Sequence, residues 1–327
     1  MTWLYLFLKG GISLFFQLPF NTFLAKRLHI KLLRIYIYFI GFTYYFFKRK
    51  ELVAIKNGIY HFFNLNCYNN ELCRIYTPSY YKALLGIYEH YLEKLIMAYR
   101  PLKKLLLYFD KRLTIKKSHL LDDALKTKGG AIIVTGHFGA VEFLPMALYL
   151  RGYNVAMICR FKTSKLKNEL AERAKYKNIT LIDANEPKVA LKALQELRKG
   201  KVLITECDEF KEWRTGSDEI NILGTKANSD KTLDIFYRKS KVPAILGLMR
   251  RDREGKYSLC LESLADGEEK VSIAKTAWRE YEKYIERHPF QWYQWADFSK
   301  IILKKEFNDK ENIHIPVTNS IPVPDYS

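Results

Sequence analysis

The sequence predicts an α/β fold: a mixed, mostly parallel sheet flanked by helices, with a separate helical region at the N-terminus. Three observations predict it. From residue 129 onward, short β-rich runs alternate with charged amphipathic segments, the pattern of βαβ units. Residues 51–128 carry helical periodicity and little else. The first 50 residues are dominated by two aromatic-rich apolar runs, each followed by cations.

Those N-terminal runs come first in the chain. Residues 3–8 are apolar, Lys9 interrupts, and residues 10–24 resume with Gln17, Pro19 and Asn21 inside. Lys26, Arg27, Lys31 and Arg34 lead into residues 35–47, rich in Tyr and Phe and closed by Lys48-Arg49-Lys50. A spanning helix needs about 20 consecutive apolar residues, and neither run reaches that cleanly. Aromatic residues bordered by cations belong to the membrane–water interface. A cleavable signal would need a cationic start and a small-residue cleavage site, and neither is present. Residues 1–50 are therefore expected to be a retained N-terminal helical membrane-anchor region, either one tilted span or two interfacial helices. An aromatic core hairpin of a soluble protein is the alternative.

A second domain is expected over residues 51–305, with 51–128 as its helical lead-in. Leu84, Ile87, Tyr88, Tyr91, Leu92 and Leu95 recur at three- and four-residue steps. Strands are then expected at 131–135, 154–159, 180–182, 202–206, 244–249 and 257–261. Helices are expected at 142–150, 165–177, 186–198, 231–239 and 273–287. Residues 306–327 hold Pro316, Pro322 and Pro324 with little apolar periodicity and read as a loose tail.

Composition restricts the partners. With 48% hydrophobic residues in 327, the chain can bury a large core. A net charge of +19 calls for an anionic partner. No paired Cys/His zinc spacing, aromatic RNP strand or concentrated basic helix is present, and the lysines are spread among apolar and aromatic runs, so a membrane surface is expected and nucleic acid is not. The five cysteines, Cys67, Cys73, Cys159, Cys207 and Cys260, include no C-x-x-C and read as reduced, inert thiols, neither a disulfide frame nor a metal site.

One constellation carries chemistry. The apolar strand at 131–135 runs into Gly136-His137-Phe138-Gly139, and a helix opens near Ala140. Two glycines around His137 permit a tight turn at the carboxyl end of a strand, where open α/β sheets keep their sites. His137 and Glu142 are five apart, well off a common helix face at about 100° per residue. With His137 in the turn and Glu142 in the first helical turn, the carboxylate reaches back and is favoured by the helix's positive end. An ionised Glu142 holding one imidazole nitrogen leaves the other free as a general base. H-x-x-x-x-E also arises by chance, as a capping histidine followed by an ordinary first-turn glutamate. A metal reading lacks a second histidine at helical spacing, so no metal is expected.

Residues 130–142, Gly-Ala-Ile-Ile-Val-Thr-Gly-His-Phe-Gly-Ala-Val-Glu, resemble the late acyltransferases of lipid A biosynthesis, part of the lysophospholipid acyltransferase superfamily with its H-x4-D/E motif. The likeness continues through the aromatic N-terminus, Leu150-Arg151-Gly152-Tyr153, Cys159-Arg160, Glu206-Cys207-Asp208, Val242-Pro243, and His288-Pro289-Phe290-Gln291-Trp292-Tyr293-Gln294-Trp295, which resembles the family's P-E-Q-Y-x-W element. The resemblance implies an enzyme of the bacterial inner membrane, at its cytoplasmic face. It moves a fatty acyl chain from an acyl carrier protein (or CoA) thioester to a glycolipid hydroxyl without metal or other cofactor. By position, His137 is then the base and Glu142 its orienting partner. Arg160 is a phosphate or substrate contact, Asp208 part of the site's architecture, and Arg173 a candidate for an anionic head group. The basic charge finds its partners in an acidic carrier protein and anionic lipid, with Lys162, Lys165, Lys167, Arg173, Lys175 and Lys177 on one approach and Arg250, Arg251 and Arg253 on another. The chain departs from the family pattern at Ala140-Val141 (usually Asn-Trp), at Glu206 (usually Asp), in the acidic stretch 209–222 and at Ile222-Leu223-Gly224, which leaves the acceptor open. A thioesterase using the same base on water, or a non-catalytic basic lipid-binding protein, are the competing readings.

Overall fold

The computed structural model describes residues 11–66, 73–161, 163–175, 178–209, 219–229, 231–267 and 270–302. The apolar run at 3–8, the tail at 306–327, Lys162, Lys177 and most of the acidic stretch after Glu209 lie outside the described residues.

The chain begins with helices α1 (Ile12–Phe16), α2 (Pro19–Arg27), α3 (Ile30–Phe47), α4 (Arg49–Asn66), α5 (Cys73–Tyr99) and α6 (Leu102–Asp110). There follow β1 (Leu113–Lys116), α7 (His119–Lys128), β2 (Ala131–Thr135), a 3-10 turn at Val141–Phe143, α8 (Leu144–Tyr149), β3 (Val155–Cys159), α9 (Ser164–Lys175), β4 (Ile179–Asp183), α10 (Val189–Arg198) and β5 (Val202–Glu206). The hairpin β6 (Glu219–Ile222) and β7 (Thr225–Asn228), α11 (Lys231–Ser240), β8 (Ala244–Arg251), β9 (Tyr257–Ala265), α12 (Ile273–Arg287) and a 3-10 turn at Pro289–Gln291 complete the ordered elements, with residues 295–302 helical again.

Seven strands form one sheet in the order β1-β9-β8-β2-β5-β3-β4. All neighbours are parallel except β8 and β9, which form an antiparallel pair. The expected mixed, mostly parallel sheet is what forms. Every residue of β2 is buried, as a central strand covered on both faces requires. Two elements depart from the sequence reading. Residues 113–116, inside the stretch read as helical, are the edge strand β1, and the hairpin β6–β7 lies where no strand was expected. The segment after the Gly136–Gly139 turn opens as a 3-10 turn rather than a full helix, with α8 starting at Leu144.

Helix α5 joins the N-terminal layer to the sheet. Leu33, Ile37, Gly41, Tyr44 and Tyr45 of α3 are buried, and α3 meets α5 through Arg34 Nε, 2.6 Å from Glu89 Oε1, and through the Tyr38 hydroxyl, which donates to the same oxygen. The opposite face of α3 presents Leu32, Ile35, Phe39, Phe42 and Phe46 outward, with Phe42 69% exposed.

Candidate active site

The site forms at the carboxyl ends of β2 and β5, neighbouring parallel strands in which Thr135 pairs with Glu206. The Cys207 N–H continues the ladder by donating to the Thr135 carbonyl at 2.8 Å. Two residues past each partner stand His137 and Asp208, which this register brings together.

Asp208 is fully buried and its carboxylate is filled from all sides. The His137 Nδ1–H donates to Oδ1 at 2.9 Å. Oδ2 accepts the His137 backbone N–H at 2.8 Å, the Trp292 indole N–H at 2.9 Å and the Tyr281 hydroxyl at 3.1 Å. Burial works against the charge, but the His137 ring and these donors outweigh it and hold the carboxyl below its ordinary range. The Gln294 amide nitrogen approaches His137 Nδ1 at 3.0 Å. The other ring nitrogen, Nε2, faces Glu206 with 3.8 Å between them, and the His137 side chain keeps 21% of its surface. Burial disfavours the imidazolium, yet Glu206 and Asp208 together overcome it and push His137 up to about 10. Burial raises Glu206 to about 7 against the opposing pull of His137.

The turn that carries His137 is fixed through its backbone. Gly139 N–H donates to the Gln291 carbonyl at 2.8 Å, Ala140 N–H to the Met249 carbonyl at 2.7 Å, and Tyr293 N–H to the His137 carbonyl at 3.2 Å. Gly139 has φ +57°, and a Cβ there would stand 2.0 Å from the Met249 carbonyl oxygen; a Cβ on Gly136 would stand 2.5 Å from the Tyr281 hydroxyl. Both glycines are thus required by close approach, and Gly139 also by its left-handed backbone. Arg251, at the end of β8, donates to Glu93 Oε1 and Oε2 at 2.7 and 2.8 Å and to the Gly139 carbonyl at 2.6 Å, pinning the turn to α5.

Glu142 is placed differently from the sequence expectation. Its carboxylate pairs with Lys94 Nζ at 3.1 Å and stands 3.8 Å from His90 Nε2, both on α5, and Asp208 takes the place on His137 Nδ1. The 3-10 opening of the helix turns Glu142 toward α5. His90 in turn stacks on Tyr293 with ring centroids 4.3 Å apart. Arg160 follows β3 on the same sheet edge as the site and is exposed. Arg173 turns inward, its Nη2 donating to the Arg100 carbonyl at 2.5 Å just beyond α5, where it answers the negative end of that helix. Of the two approach surfaces expected from the lysines and arginines, Arg251 is spent in the buried pair with Glu93 and Lys167 is held by Asp183 and Glu186. Cys207 and Cys260 are buried and Cys159 half-buried, and none of the three is in a disulfide.

Glu206, Trp292, Tyr281 and Gln294 had no assigned role in the sequence reading. Trp292 and Gln294 lie in the closing aromatic element at 288–295, which was a usable signal. Tyr281 had none, because only the packing of α12 carries its hydroxyl to Asp208. Among the described residues, His137, Glu206 and Glu209 offer one nitrogen and two oxygens within 4.8 Å of one another. A cation seated there would take Nε2, since Nδ1 is held by Asp208.

The arrangement could support acid–base chemistry: a histidine at a strand's carboxyl end, oriented through Nδ1 by a buried carboxylate, with Nε2 facing Glu206. The sequence model of the bacterial lipid A biosynthesis acyltransferases matches residues 97–296, which include His137, Glu142, Glu206, Asp208, Tyr281, Trp292 and Gln294 but not the α5 residues His90, Glu93 and Lys94, and the chain belongs to that family. No curated protein matches the chain.

Proposed function

We propose that the protein is a membrane-bound acyltransferase that moves a fatty acyl chain from a carrier thioester, on acyl carrier protein or CoA, to a hydroxyl of a glycolipid or lipid A-like acceptor. The observation that carries this reading is the 2.9 Å contact between His137 Nδ1 and Asp208 Oδ1, which leaves Nε2 as the base. The acceptor hydroxyl donates its proton to Nε2 as its oxygen attacks the thioester carbonyl. The C–S bond then breaks, and the imidazolium returns the proton to the departing sulfur. Asp208 stabilises the imidazolium without taking a proton. Glu206 faces the imidazolium that forms, and Glu142 positions Lys94 and His90 at the α5 side of the site. Arg160 is assigned to the anionic part of a substrate, from its place on the sheet edge that carries the site.

Membrane attachment fits the same geometry. Helix α3, the one described helix long and apolar enough to cross a bilayer by length and composition, offers lipid the outward stripe Leu32, Ile35, Phe39, Phe42 and Phe46. Its inner face is ion-paired through Arg34 and Glu89 to α5, the helix that also supplies His90, Glu93 and Lys94 to the site. A spanning α3 would carry that stretch of α5 into hydrocarbon, where charges are costly. An α3 lying in the interface immerses its aromatic stripe and leaves the ion pairs above. Such a bound enzyme on an inner membrane's cytoplasmic leaflet would meet both an acidic carrier protein and anionic lipid, which the charge of +19 suits.

The test uses the purified full chain, an acyl thioester and membrane lipid, read by mass spectrometry. Acylated lipid that disappears in His137→Ala is expected. Free fatty acid with no acylated lipid would reassign the site to thioester hydrolysis.

A further inference from the structure

Between the end of β1, β8, β9 and the end of α12 lies a half-open cavity of about 160 Å3. Its walls are the end of β1 with Lys116 and Lys117, Arg250 on β8, Glu262 on β9, and Arg287 and His288 where α12 ends. That volume exceeds one water, whose share of the liquid is about 30 Å3, and suits a tetrahedral oxyanion with its first waters.

The charges around it do not balance. Lys117 is paired with Glu262, and Arg250 Nε is 2.7 Å from Asp252 Oδ1. Lys116 and Arg287 have no carboxylate within ion-pairing distance among the described residues. Two cations without a carboxylate partner therefore converge on one concavity beside two paired ones. Burial holds the neighbouring His288 below its ordinary range, and the Arg250 and Arg287 guanidiniums add to this against the opposing pull of Asp252. The negative end of α12 accounts for Arg287 and Asp252 for Arg250, which leaves Lys116 without a structural counter-charge.

Two of the cavity's lining residues, Tyr284 and His288, lie next to the turn that carries His137. Tyr284 donates to Glu262 at 3.0 Å, and its ring stands 6.3 Å, centroid to centroid, from the ring of Phe138, the residue after His137. His288 leads directly into Pro289–Gln291, whose Gln291 carbonyl receives the Gly139 N–H.

We propose that this cavity is a phosphate site, holding a phosphomonoester group through Lys116, Arg250 and Arg287, with His288 as a further donor. A planar guanidinium on each side and a lysine point charge match the oxygens of such a group. The group belongs either to a lipid head or to a soluble phosphate. The site goes beyond the acyltransfer reading and does not depend on it.

The experiment measures binding of inorganic phosphate to the full chain in detergent by calorimetry, at constant ionic strength set with chloride, for wild type and Lys116→Ala/Arg287→Ala. Both residues are exposed at the rim, so the double variant keeps the fold, checked by its unchanged melting temperature without phosphate. Saturable binding in wild type, at least tenfold weaker in the double variant, is expected. Vesicles with phosphatidic acid or phosphatidylglycerol then separate the sources. Loss of retention in the double variant on phosphatidic acid alone assigns a lipid phosphomonoester, and unchanged retention on both, with phosphate binding lost, assigns a soluble one. No saturable phosphate binding in wild type, or equal binding in the double variant, overturns the proposal.

Discussion

Asp208 grips His137 twice, accepting the backbone N–H on Oδ2 at 2.8 Å and the ring Nδ1–H on Oδ1 at 2.9 Å. One carboxylate therefore fixes both where the histidine sits and which tautomer it adopts. Asp208→Asn should lower kcat on the order of 10²- to 10⁴-fold, the usual contribution of a positioned base, with KM little changed. Glu142→Gln leaves both of these contacts in place, and its effect should be smaller and fall mainly on KM through Lys94. Steady-state kinetics of the two variants decide the matter. A Glu142→Gln loss as large as that of Asp208→Asn would return the orienting role to Glu142.

The acid–base balance of the site has a definite sign. His137 is raised to about 10 with Glu206 on its Nε2 side, and the base form is the unprotonated ring. Activity of wild type should therefore climb with pH through the neutral and alkaline range. Glu206→Gln removes the first of the two carboxylates that raise His137, so the climb should move to lower pH. Both groups bind protons more tightly folded than unfolded. Their contribution to stability thus falls as pH rises, from 4.5 to about 7 for Glu206 and from 6.5 to about 10 for His137. The pH profile of kcat/KM for the two proteins is the measurement, and an unmoved profile in Glu206→Gln would refute the coupling.

The fold and the histidine were legible in the sequence because both depend on local pattern. Four apolar residues and a threonine, Ala131–Thr135, followed by Gly136-His137-Phe138-Gly139, announce a buried strand and a tight turn without any knowledge of the rest. The partner of His137 was not legible. Asp208 is 71 residues away, and only the parallel register that sets Thr135 beside Glu206 brings it near. Glu142 was the natural local choice until a 3-10 turn rotated it toward Lys94. The hairpin β6–β7 was hidden by its turn. Leu223 at φ 48° and Gly224 at φ 76° make the positive-φ pair that hairpins favour, but the first of them is usually Asn, Asp or Gly. The Leu223 N–H donates to Glu282 on α12 at 2.5 Å, a tertiary contact that helps hold the unfavourable residue in place. Strand β1 is four residues with a lysine at its end, too short to show a period.

The Arg251–Glu93 pair should separate stability from activity. Glu93 is buried, and burial raises it to about 7 against the pull of Arg251. Removing only the arginine, as in Arg251→Met, strands that carboxyl and should cost about 3–5 kcal/mol. Adding Glu93→Leu replaces the pair with apolar packing and should restore much of the loss, because such replacements are often near neutral. Activity should not return with stability, since the double variant still lacks the Arg251 donor to the Gly139 carbonyl. Urea unfolding and turnover of wild type, single and double variants give the answer, and full activity in the double variant would show that the pin on Gly139 is dispensable.

The lie of α3 can be read from its ends. Eighteen residues at about 1.5 Å each span roughly 27 Å, near the hydrocarbon thickness. Length alone therefore permits crossing. The distribution of polar contacts argues for the interface: Arg34 and Tyr38 both reach Glu89, and farther along the Tyr44 hydroxyl donates to Glu51 at 3.0 Å, so polar ties to the rest of the protein run along most of the helix. Single cysteines at Lys31 and Lys48, on either side of the aromatic stripe, should both react with a membrane-impermeant maleimide from the same side of sealed vesicles, above the labelling of the native thiols. Labelling from opposite sides would make α3 a span. Replacing Phe39 and Phe42 with serine removes two large side chains from the lipid face, at about 1.5–3 kcal/mol each if fully buried there. The full chain should then shift measurably from the membrane to the soluble fraction, while its melting temperature moves little, because both side chains are exposed in the folded protein.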